Sequence, residues 1–253
     1  MERSLAPVGA PARLAREYLT ASPLLLALET ATAAPSVALW RGDALVAERA
    51  ADPGRATAEA LLPAVDALLA AAGTALAAVE GFAVSIGPGS FTGLRIGVAT
   101  VKGLAFGTGR PAVAVSTLAA IAGHAPGPAP VAAVLDARRG EVYAAGFAGG
   151  APAGWLPEGV IAIDSLAARL PAGCRVVGEG APLCADALLG AAVTLALPPY
   201  PETTARHVAR IAALAWEHGG AISASDLAPR YLRRAEAEVK RIGLQFESKE
   251  ADS

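Results

Sequence analysis

The sequence is poor in the residues that mark several classes of protein. It has two cysteines, Cys174 and Cys184, and three scattered histidines in 253 residues. A disulfide scaffold and a zinc site are therefore not expected. Buried thiols in a reducing compartment are predicted instead, so we expect a cytoplasmic protein. No run of 18 apolar residues occurs, so we predict no membrane-spanning helix.

Charge of either sign is also sparse. The formal net charge is -2, and no long block of Lys or Arg occurs. A protein that binds nucleic acid on its own usually carries a basic stripe, so RNA is expected to be reached only indirectly, through a partner. With 54% hydrophobic and 17% charged residues, the composition is that of a compact globular protein.

The chain divides into four predicted parts. Residues 1–23 lack the continuous apolar segment of a secretory signal, so they are expected to form a flexible extension. A first lobe is predicted over 24–115 and a second over 116–235, with a Gly/Pro cluster near their junction. A charged tail follows over 236–253. The helix predicted over 202–220 is a candidate to pack back on the first lobe.

Hydrophobic periodicity predicts an α/β fold with an internal duplication. Each lobe begins with a strand, a turn and a strand, and then continues with alternating helical and strand patterns. The predicted helices are 57–73, which Pro63 should either kink or cause to start later, then 93–109, 117–125, a short one over 164–170 with Asp164 as its cap, and 202–220. The predicted strands are three over 24–50, then 81–87, 111–116, two over 131–149, 159–163 and one from Cys174.

The stretch SIGPGSFTGLRIG, from Ser85 to Gly97, is the most distinctive local pattern. It lacks the Lys of a phosphate-binding P-loop, the spacing of a dinucleotide-binding fingerprint and the Gly-x-Ser-x-Gly of a nucleophile elbow. It is therefore predicted to be a strand-to-helix turn. In this turn Ser90 or Thr92 caps the helix, and the backbone amides either are used in packing or meet an anion.

The helix after this turn carries a small-residue stripe, defined by Gly93, Gly97 and Thr100. A glycine inside a helix costs roughly 1 kcal/mol relative to alanine, so two of them require a compensating close approach. Another helix of the same chain or a helix of a partner protein could supply it. The second alternative predicts that Gly97→Leu leaves the monomer folded and abolishes binding of the partner.

Several segments together resemble the bacterial TsaB (YeaZ) family. They are LLALETATAAPSVAL, EALLPAVDALL, GPGSFTGLRIGVATVKGLAFG, VSTLAAIA, LDARRGEVY and PRYLR, in this order from Leu24 to Arg233. The resemblance implies an actin-like ATPase (ASKHA) superfamily fold with two RNase H-like lobes. It also implies a non-catalytic role in making threonylcarbamoyladenosine at position 37 of tRNA, as the partner of the transferase TsaD and the ATPase TsaE.

The resemblance further implies that the first two helices form the partner interface, and a homodimer when TsaD is absent. The residues assigned to this interface are Leu61, Val65, Leu68, Ser90, Phe91, Thr92, Gly93, Arg95, Gly97 and Thr100. No catalytic residue, metal ligand or cofactor of its own is assigned. ATP or ADP could be held only at the joint with TsaD.

Two departures from the family pattern bear on function. The first strand ends in Glu29-Thr30-Ala31 where the family has Asp-Thr-Ser, and Thr57-Ala58 replaces His-Ser before Glu59. The alternative function is that of an independent actin-like ATPase or phosphotransferase. Glu29, Thr30 and Thr32 are weak candidates for its phosphate site. A peptidase using Ser90 has no support from spacing.

One further charged motif allows two interpretations. Asp136 and Glu141 flank Arg138 and Arg139 in a predicted turn. These four side chains could pair with one another, or the arginines could contact a partner or tRNA.

Overall fold

The computed structural model describes residues 22–233, and the predictions for residues 1–21 and for the tail from residue 234 lie outside this range. The first lobe is a five-stranded sheet in the order β3-β2-β1-β4-β5. Its strands are β1 (Leu24–Glu29), β2 (Ser36–Arg41), β3 (Ala44–Ala50), β4 (Gly81–Gly87) and β5 (Ala112–Ser116). Strands β1, β4 and β5 are parallel, whereas β2 and β3 are antiparallel to their neighbours.

The second lobe contains a six-stranded sheet in the order β11-β10-β6-β7-β8, and β9 also pairs with β7. Its strands are β6 (Val131–Arg138), β7 (Glu141–Ala148), β8 (Ala151–Pro152), β9 (Gly159–Ala162), β10 (Cys174–Val177) and β11 (Val193–Ala196). Strands β6, β10 and β11 are parallel, and β7 is antiparallel to β6.

The two sheets repeat one topology. In the first sheet, the strands numbered along the chain lie in the order 3-2-1-4-5. The second sheet has the same order, with β6 in the place of β1, β7 in that of β2, and β8 and β9 together in that of β3. Strands β10 and β11 complete the repeat. This repetition confirms the predicted α/β fold with an internal duplication.

Four helices are described, and they cover both faces of the first sheet. They are α1 (Thr57–Ala71), α2 (Phe91–Thr108), α3 (Thr117–Ala122) and α4 (Thr204–Glu217). Side chains alternate between the faces of a strand. Leu24 and Leu26 of β1 therefore share a core with α1 and α2, whereas Leu25 packs in another core with Trp216 of α4. Helix α4 thus packs against strands β1 and β2 of the first lobe.

Two local predictions differ from the structure. The helix predicted over 164–170 is a pair of short 3₁₀ turns, Ile163–Ser165 and Ala167–Arg169, and Asp164 lies inside the first turn and does not cap it. A helix of this length is marginal, and neither turn has a side-chain cap, whereas the six-residue α3 is capped by Ser116. Pro63 does not delay helix α1, which begins at Thr57 and contains the proline on its exposed side. Within residues 22–233, no helix is long and apolar enough to cross a membrane.

Candidate functional site

The glycine-rich turn between β4 and α2 is a capped turn that lies against the loop after β1. The hydroxyl of Ser90 accepts a hydrogen bond from the amide of Gly93 at 3.2 Å, which makes Ser90 the N-cap of α2. The Ser90 amide donates to the carbonyl of Ala31 at 2.8 Å. At Gly89, where φ is 151°, an added Cβ would lie 2.5 Å from the same carbonyl oxygen. A side chain at this position would therefore separate the two loops.

The small-residue stripe faces the interior of the first lobe. Gly93 and Gly97 are buried, and an added Cβ on either would overlap Thr30 at the end of β1. The Thr30 hydroxyl donates to the Gly93 carbonyl at 2.8 Å. Thr100 is half-buried, and its hydroxyl donates to the carbonyl of Ile96 within the helix. The close approach that the glycines permit is therefore with strand β1 of the same chain.

The assignment of the α1 residues to a partner surface is also corrected. Leu61, Val65 and Leu68 are 1%, 2% and 1% exposed and belong to the core beneath the first sheet. They recur at helical spacing because that spacing marks the buried face of an amphipathic helix. The opposite face of α1 is the one at the surface, and Leu62 there is 48% exposed.

The remaining predicted interface residues lie at the surface of the first turns of α2. Ser90, Thr92 and Arg95 are exposed, and Phe91 is half-buried. The guanidinium of Arg95 lies over the Phe91 ring, 4.0 Å from its centroid. Its Nε donates to the hydroxyl of Tyr231 at 3.2 Å, and the Phe91 and Tyr231 rings are 4.9 Å apart. Tyr231 is a site residue that the sequence analysis missed, although it lies in the quoted PRYLR segment.

Glu29 lies completely buried at the end of β1. Its carboxylate accepts hydrogen bonds from the amides of Ala31 at 2.6 Å and Thr32 at 3.1 Å, and from the hydroxyls of Thr32 at 2.6 Å and Ser85 at 3.3 Å. Burial raises the pKa of Glu29 to about 7, and the hydrogen bonds offset only part of that effect. The Glu29 carboxylate thus lies inside the turn after β1, where Glu29, Thr30 and Thr32 were candidates for a phosphate site.

Glu179, from the second lobe, occupies the remaining amide of this turn. The amide of Ala33 donates to both carboxylate oxygens of Glu179, at 2.8 and 3.1 Å. Burial raises the pKa of Glu179 as well. The amides of residues 31, 32 and 33 are therefore all bound to carboxylates of the same chain. The contact closes one side of an interlobe cleft of about 570 Å³, whose other walls include Ser90 and Asp136.

The hairpin between β6 and β7 forms the opposite edge of this cleft. Arg138 pairs with Asp136 at 3.1 Å, as one of the two interpretations of this motif requires, but its side chain is 84% exposed. Glu141 pairs instead with Arg233, which also donates to the carbonyl of Ala137 at 2.7 Å. The segment that contains Tyr231 and Arg233 therefore contacts both lobes.

Two of the scattered histidines meet where α3 and α4 adjoin. The rings of His124 and His207 are 4.5 Å apart, and His124 stacks on Tyr200 at 4.2 Å. Burial lowers the pKa of His124 to about 4. Burial, together with the charges of neighbouring groups, lowers that of His207 to about 3. Among the described residues, no group of three or more His, Cys, Asp or Glu side chains is arranged to hold a metal ion.

Comparison with known proteins gives three kinds of match. A family model described as "TsaD: tRNA N6-adenosine threonylcarbamoyltransferase" matches residues 50–151, which is less than half of the chain. The TsaB protein of Escherichia coli is 43% identical over 122 residues, 47% of this chain and 52% of that protein. The matched segment therefore spans about half the length of this curated relative, and the same is true of the Haemophilus influenzae TsaB, at 51%.

Other matches extend over most of the chain. An uncharacterized protein of Mycobacterium tuberculosis is 35% identical over 225 residues, covering 84% of this chain and 93% of that protein. The solved structure of YeaZ from Pseudomonas aeruginosa is 35% identical and aligns with a TM-score of 0.72. That alignment covers 83% of this chain and 99% of YeaZ. With nearly the whole of a YeaZ structure matched in both sequence and fold, this chain belongs to the TsaB/YeaZ family.

Proposed function

We propose that this chain is the non-catalytic assembly subunit for N6-threonylcarbamoyladenosine modification at position 37 of tRNA. In this role it binds a TsaD homologue, which carries out the transfer, and a TsaE homologue joins the pair. The names of the E. coli and H. influenzae relatives, tRNA threonylcarbamoyladenosine biosynthesis proteins, support the pathway. The match of residues 50–151 to the TsaD family model supports a structural relation to the transferase.

The outer face of α1 and α2 is the proposed docking surface, and the open face of α2 is the observation that carries the proposal. Gly103 and Gly107 are exposed, and an added Cβ at either would meet no atom within 4 Å. Ala99 is exposed one turn before Gly103, and the Phe106 side chain is 91% exposed. A helix of a partner can therefore approach this backbone closely and bury an aromatic side chain.

The predicted contacts at the start of α2 belong to the same proposal. Ser90 and Thr92 lie on the exposed side of the first turn, and Arg95 lies at the edge of the docking surface nearest the cleft. The two helices also carry opposite charges, since α1 contains only acids, Glu59 and Asp66, and α2 only bases. A two-fold pairing that sets α1 of one copy against α2 of the other would match unlike charges, which supports the proposed homodimer when TsaD is absent.

The interlobe cleft favours this role over an independent ATPase. A phosphate bound at the loop after β1 would need the free amides of that loop. Glu29 and Glu179 already accept hydrogen bonds from these amides, which leaves none of the three free to bind a phosphate. We propose accordingly that ATP or ADP binds only at the joint with the TsaD homologue.

Gly103→Trp is expected to abolish binding of the TsaD homologue and leave the fold intact. The indole would stand in the open space over α2 and hold a partner helix away, so we expect at least a 100-fold loss of affinity by light scattering or titration calorimetry. Gly154→Trp in the second lobe is the matched control, because its added Cβ also meets no atom within 4 Å. Equal affinity of the Gly103 variant and the control would place the interface elsewhere.

The cellular counterpart of this experiment is complementation. In a host depleted of its own TsaB, the wild-type chain should restore threonylcarbamoyladenosine, measured by mass spectrometry of tRNA nucleosides, and the Gly103→Trp variant should not. Absence of the nucleoside with the wild-type chain would contradict the proposed function.

The purified chain alone is expected to hydrolyse no radiolabelled ATP above the buffer rate. The reason is that the amides of the loop after β1 are already occupied. A rate that exceeds the buffer control and disappears in Glu29→Ala would favour the independent ATPase.

A further inference from the structure

Glu179 is held in a fixed position by the second lobe. It follows strand β10 and lies between Gly178 and Gly180. An added Cβ on Gly178 would lie 2.1 Å from the carbonyl oxygen of Val134, and one on Gly180 would lie 2.9 Å from the neighbouring backbone of β6. The two glycines therefore let this segment pack directly on β6, so the second lobe alone determines where Glu179 begins.

From this position the Glu179 carboxylate reaches the first lobe. Both of its oxygens accept a hydrogen bond from the amide of Ala33, at 2.8 and 3.1 Å. Ala33 lies in the loop between β1 and β2 of the first sheet, so these hydrogen bonds, called here the Glu179 contact, join the two lobes across the interlobe cleft. A charged acceptor makes them stronger than hydrogen bonds between neutral groups.

Glu29 places a second carboxyl group beside the Glu179 contact. Its carboxylate binds the amides of Ala31 and Thr32, and the next amide along the chain is that of Ala33. Burial is the main cause of the raised pKa of Glu29, about 7, and the negative charge of Glu179 adds to it. Two charged carboxylates on neighbouring amides repel each other, and water screens this repulsion poorly at a buried position. Loss of the proton from Glu29 therefore weakens the Glu179 contact.

The other titratable groups around Glu179 do not remove this repulsion. Asp136 and Arg138 pair with each other, and Glu202 pairs with an arginine of α4. Burial lowers the pKa of the histidine and raises the pKa of the two tyrosines, so these three groups stay neutral between pH 6 and 8. The groups that line the cleft and the pocket behind Glu179 are Asp136, Arg138, Tyr143, His124, Tyr200 and Glu202.

We propose that the Glu179 contact is a switch that holds the two lobes together when Glu29 is protonated and releases them when Glu29 is ionised. This inference concerns only how the lobes are held, so it does not depend on the proposed function. At pH 6 Glu29 is largely neutral, and Glu179 keeps its charge without repulsion. At pH 8 both carboxyl groups are charged, and the cleft opens. By linkage, any ligand or partner that opens the cleft also releases a proton from Glu29.

The direct test is hydrogen exchange of the Ala33 amide in the full chain, measured by NMR as a protection factor relative to an unstructured peptide at the same pH. In the wild type this protection should fall at least about threefold between pH 6 and 8, because like charges then oppose the contact. The Ser90 amide, which donates to the Ala31 carbonyl within the first lobe, is the internal reference and should keep its protection. Equal losses at both amides would show a general loosening of the loop and would overturn the proposal.

Three variants assign the effect to the two carboxyl groups. Glu179→Ala should lower the protection of Ala33 at pH 6 at least about tenfold, because the amide loses a charged acceptor. Asp136→Ala is the matched control, since it removes another carboxylate from the cleft whose partner, Arg138, lies in the same lobe. Its Ala33 protection should stay within about twofold of wild type. Glu29→Gln keeps the shape of the side chain without its charge, so it should retain at pH 8 the protection of the wild type at pH 6.

Each of these variants can contradict the proposal. Unchanged protection of Ala33 in Glu179→Ala would show that the contact is absent in solution. Equal losses in Glu179→Ala and Asp136→Ala would show a general effect of charge in the cleft. A dependence on pH that survives in Glu29→Gln would show that another group controls the contact.

A distance measurement shows whether the contact holds the lobes together. Spin labels are placed at Ala58→Cys in the first lobe and Leu189→Cys in the second, both exposed, and the two native cysteines are buried and do not compete for the label. The distance distribution from electron resonance should broaden and move to longer distances from pH 6 to 8. It should do so at both pH values in Glu179→Ala and at neither because of Asp136→Ala. Lost protection of Ala33 with an unchanged distance would show that the hydrogen bonds do not hold the lobes, and would overturn the proposal.

Discussion

Replacing Gly97 with leucine is expected to destabilise the fold by on the order of 4 kcal/mol, a large part of the stability of a typical domain. An added Cβ would overlap the Thr30 hydroxyl and lie 3.3 Å from Cγ2 of Val84. The rest of the leucine would have to enter the closed seam between α2 and the first sheet. Displacing Thr30 would also break its buried hydrogen bond to the Gly93 carbonyl. The buried position of Gly97 against Thr30 therefore reverses the expectation that the variant stays folded and only fails to bind a partner.

The same substitution at Gly103, six residues nearer the C-terminus of α2, should change stability in the opposite direction. Gly103→Leu places its side chain in open space, and replacing a helical glycine stabilises the helix by roughly 0.8 kcal/mol. Thermal unfolding followed by circular dichroism should show the Gly97 variant melting about 10 °C below wild type. The Gly103 variant should melt at or slightly above it. A Gly97→Leu protein that melts with the wild type would show that the contact between Gly97 and Thr30 is absent in solution.

Acidification from pH 7 to pH 5 is expected to destabilise the wild-type protein relative to a variant that lacks both His124 and His207. In the folded chain the pKa of His124 is about 4 and that of His207 about 3, against 6.5 for an unperturbed histidine. Below pH 6.5 the two histidines therefore bind protons in the unfolded chain but not in the folded chain, and stability is lost as the pH falls. At pH 5 the loss is on the order of 2 kcal/mol for each histidine.

Neighbouring charges modify the pKa values of His124 and His207, and a buried acid, Glu29, has the opposite effect on the pH dependence of stability. Arg206 and Arg210 disfavour a charged His207, whereas Glu48 favours a charged His124, and Glu202 lies 3.4 Å from His207. Glu29 acts in the other direction: its pKa of about 7 means that the folded chain holds an extra proton between pH 4.5 and 7. Its contribution to stability therefore rises as the pH falls through that window.

The contribution of the histidines is isolated by comparing variants in urea unfolding at several pH values. The free energy of unfolding of the double variant His124→Gln with His207→Gln should fall less between pH 7 and 5 than that of the wild type, because the two histidines no longer take up protons on unfolding. The contribution of Glu29 is common to both proteins and cancels in the comparison. His218→Gln, at an exposed position, is the control and should follow the wild type. Parallel pH curves for the wild type and the double variant would show that the histidines already titrate freely in the folded state.

The sequence predicted the positions of the helices and strands well, but it predicted less well which side of each helix is buried in the fold. Periodicity located α1 and α2, and Ser90 caps α2 as the turn pattern indicated. Glycine spacing correctly required a close approach, but the spacing contains no information about which backbone approaches. Here it is the end of β1, 63 residues earlier than Gly93.

Other parts of the site depend on contacts that local patterns cannot encode. Glu179 meets Ala33 across 146 residues, and Tyr231 meets Arg95 across 136. The pair of histidines forms only because α3 and α4 adjoin. No spacing rule connects such positions, because the fold and not the local chain brings them together.

The segment that contains Tyr231 and Arg233 has a mechanical consequence. Tyr231 rests on the first turn of α2, and Arg233 is tied to the β6–β7 hairpin of the other lobe. A hinge motion between the lobes must therefore either break one of these two contacts or move α2 and the hairpin together. A protein that binds α2 and fixes Tyr231 would, through residues 231–233, also restrict the orientation of the β6–β7 hairpin. Binding at α2 and the orientation of the second lobe would then be coupled.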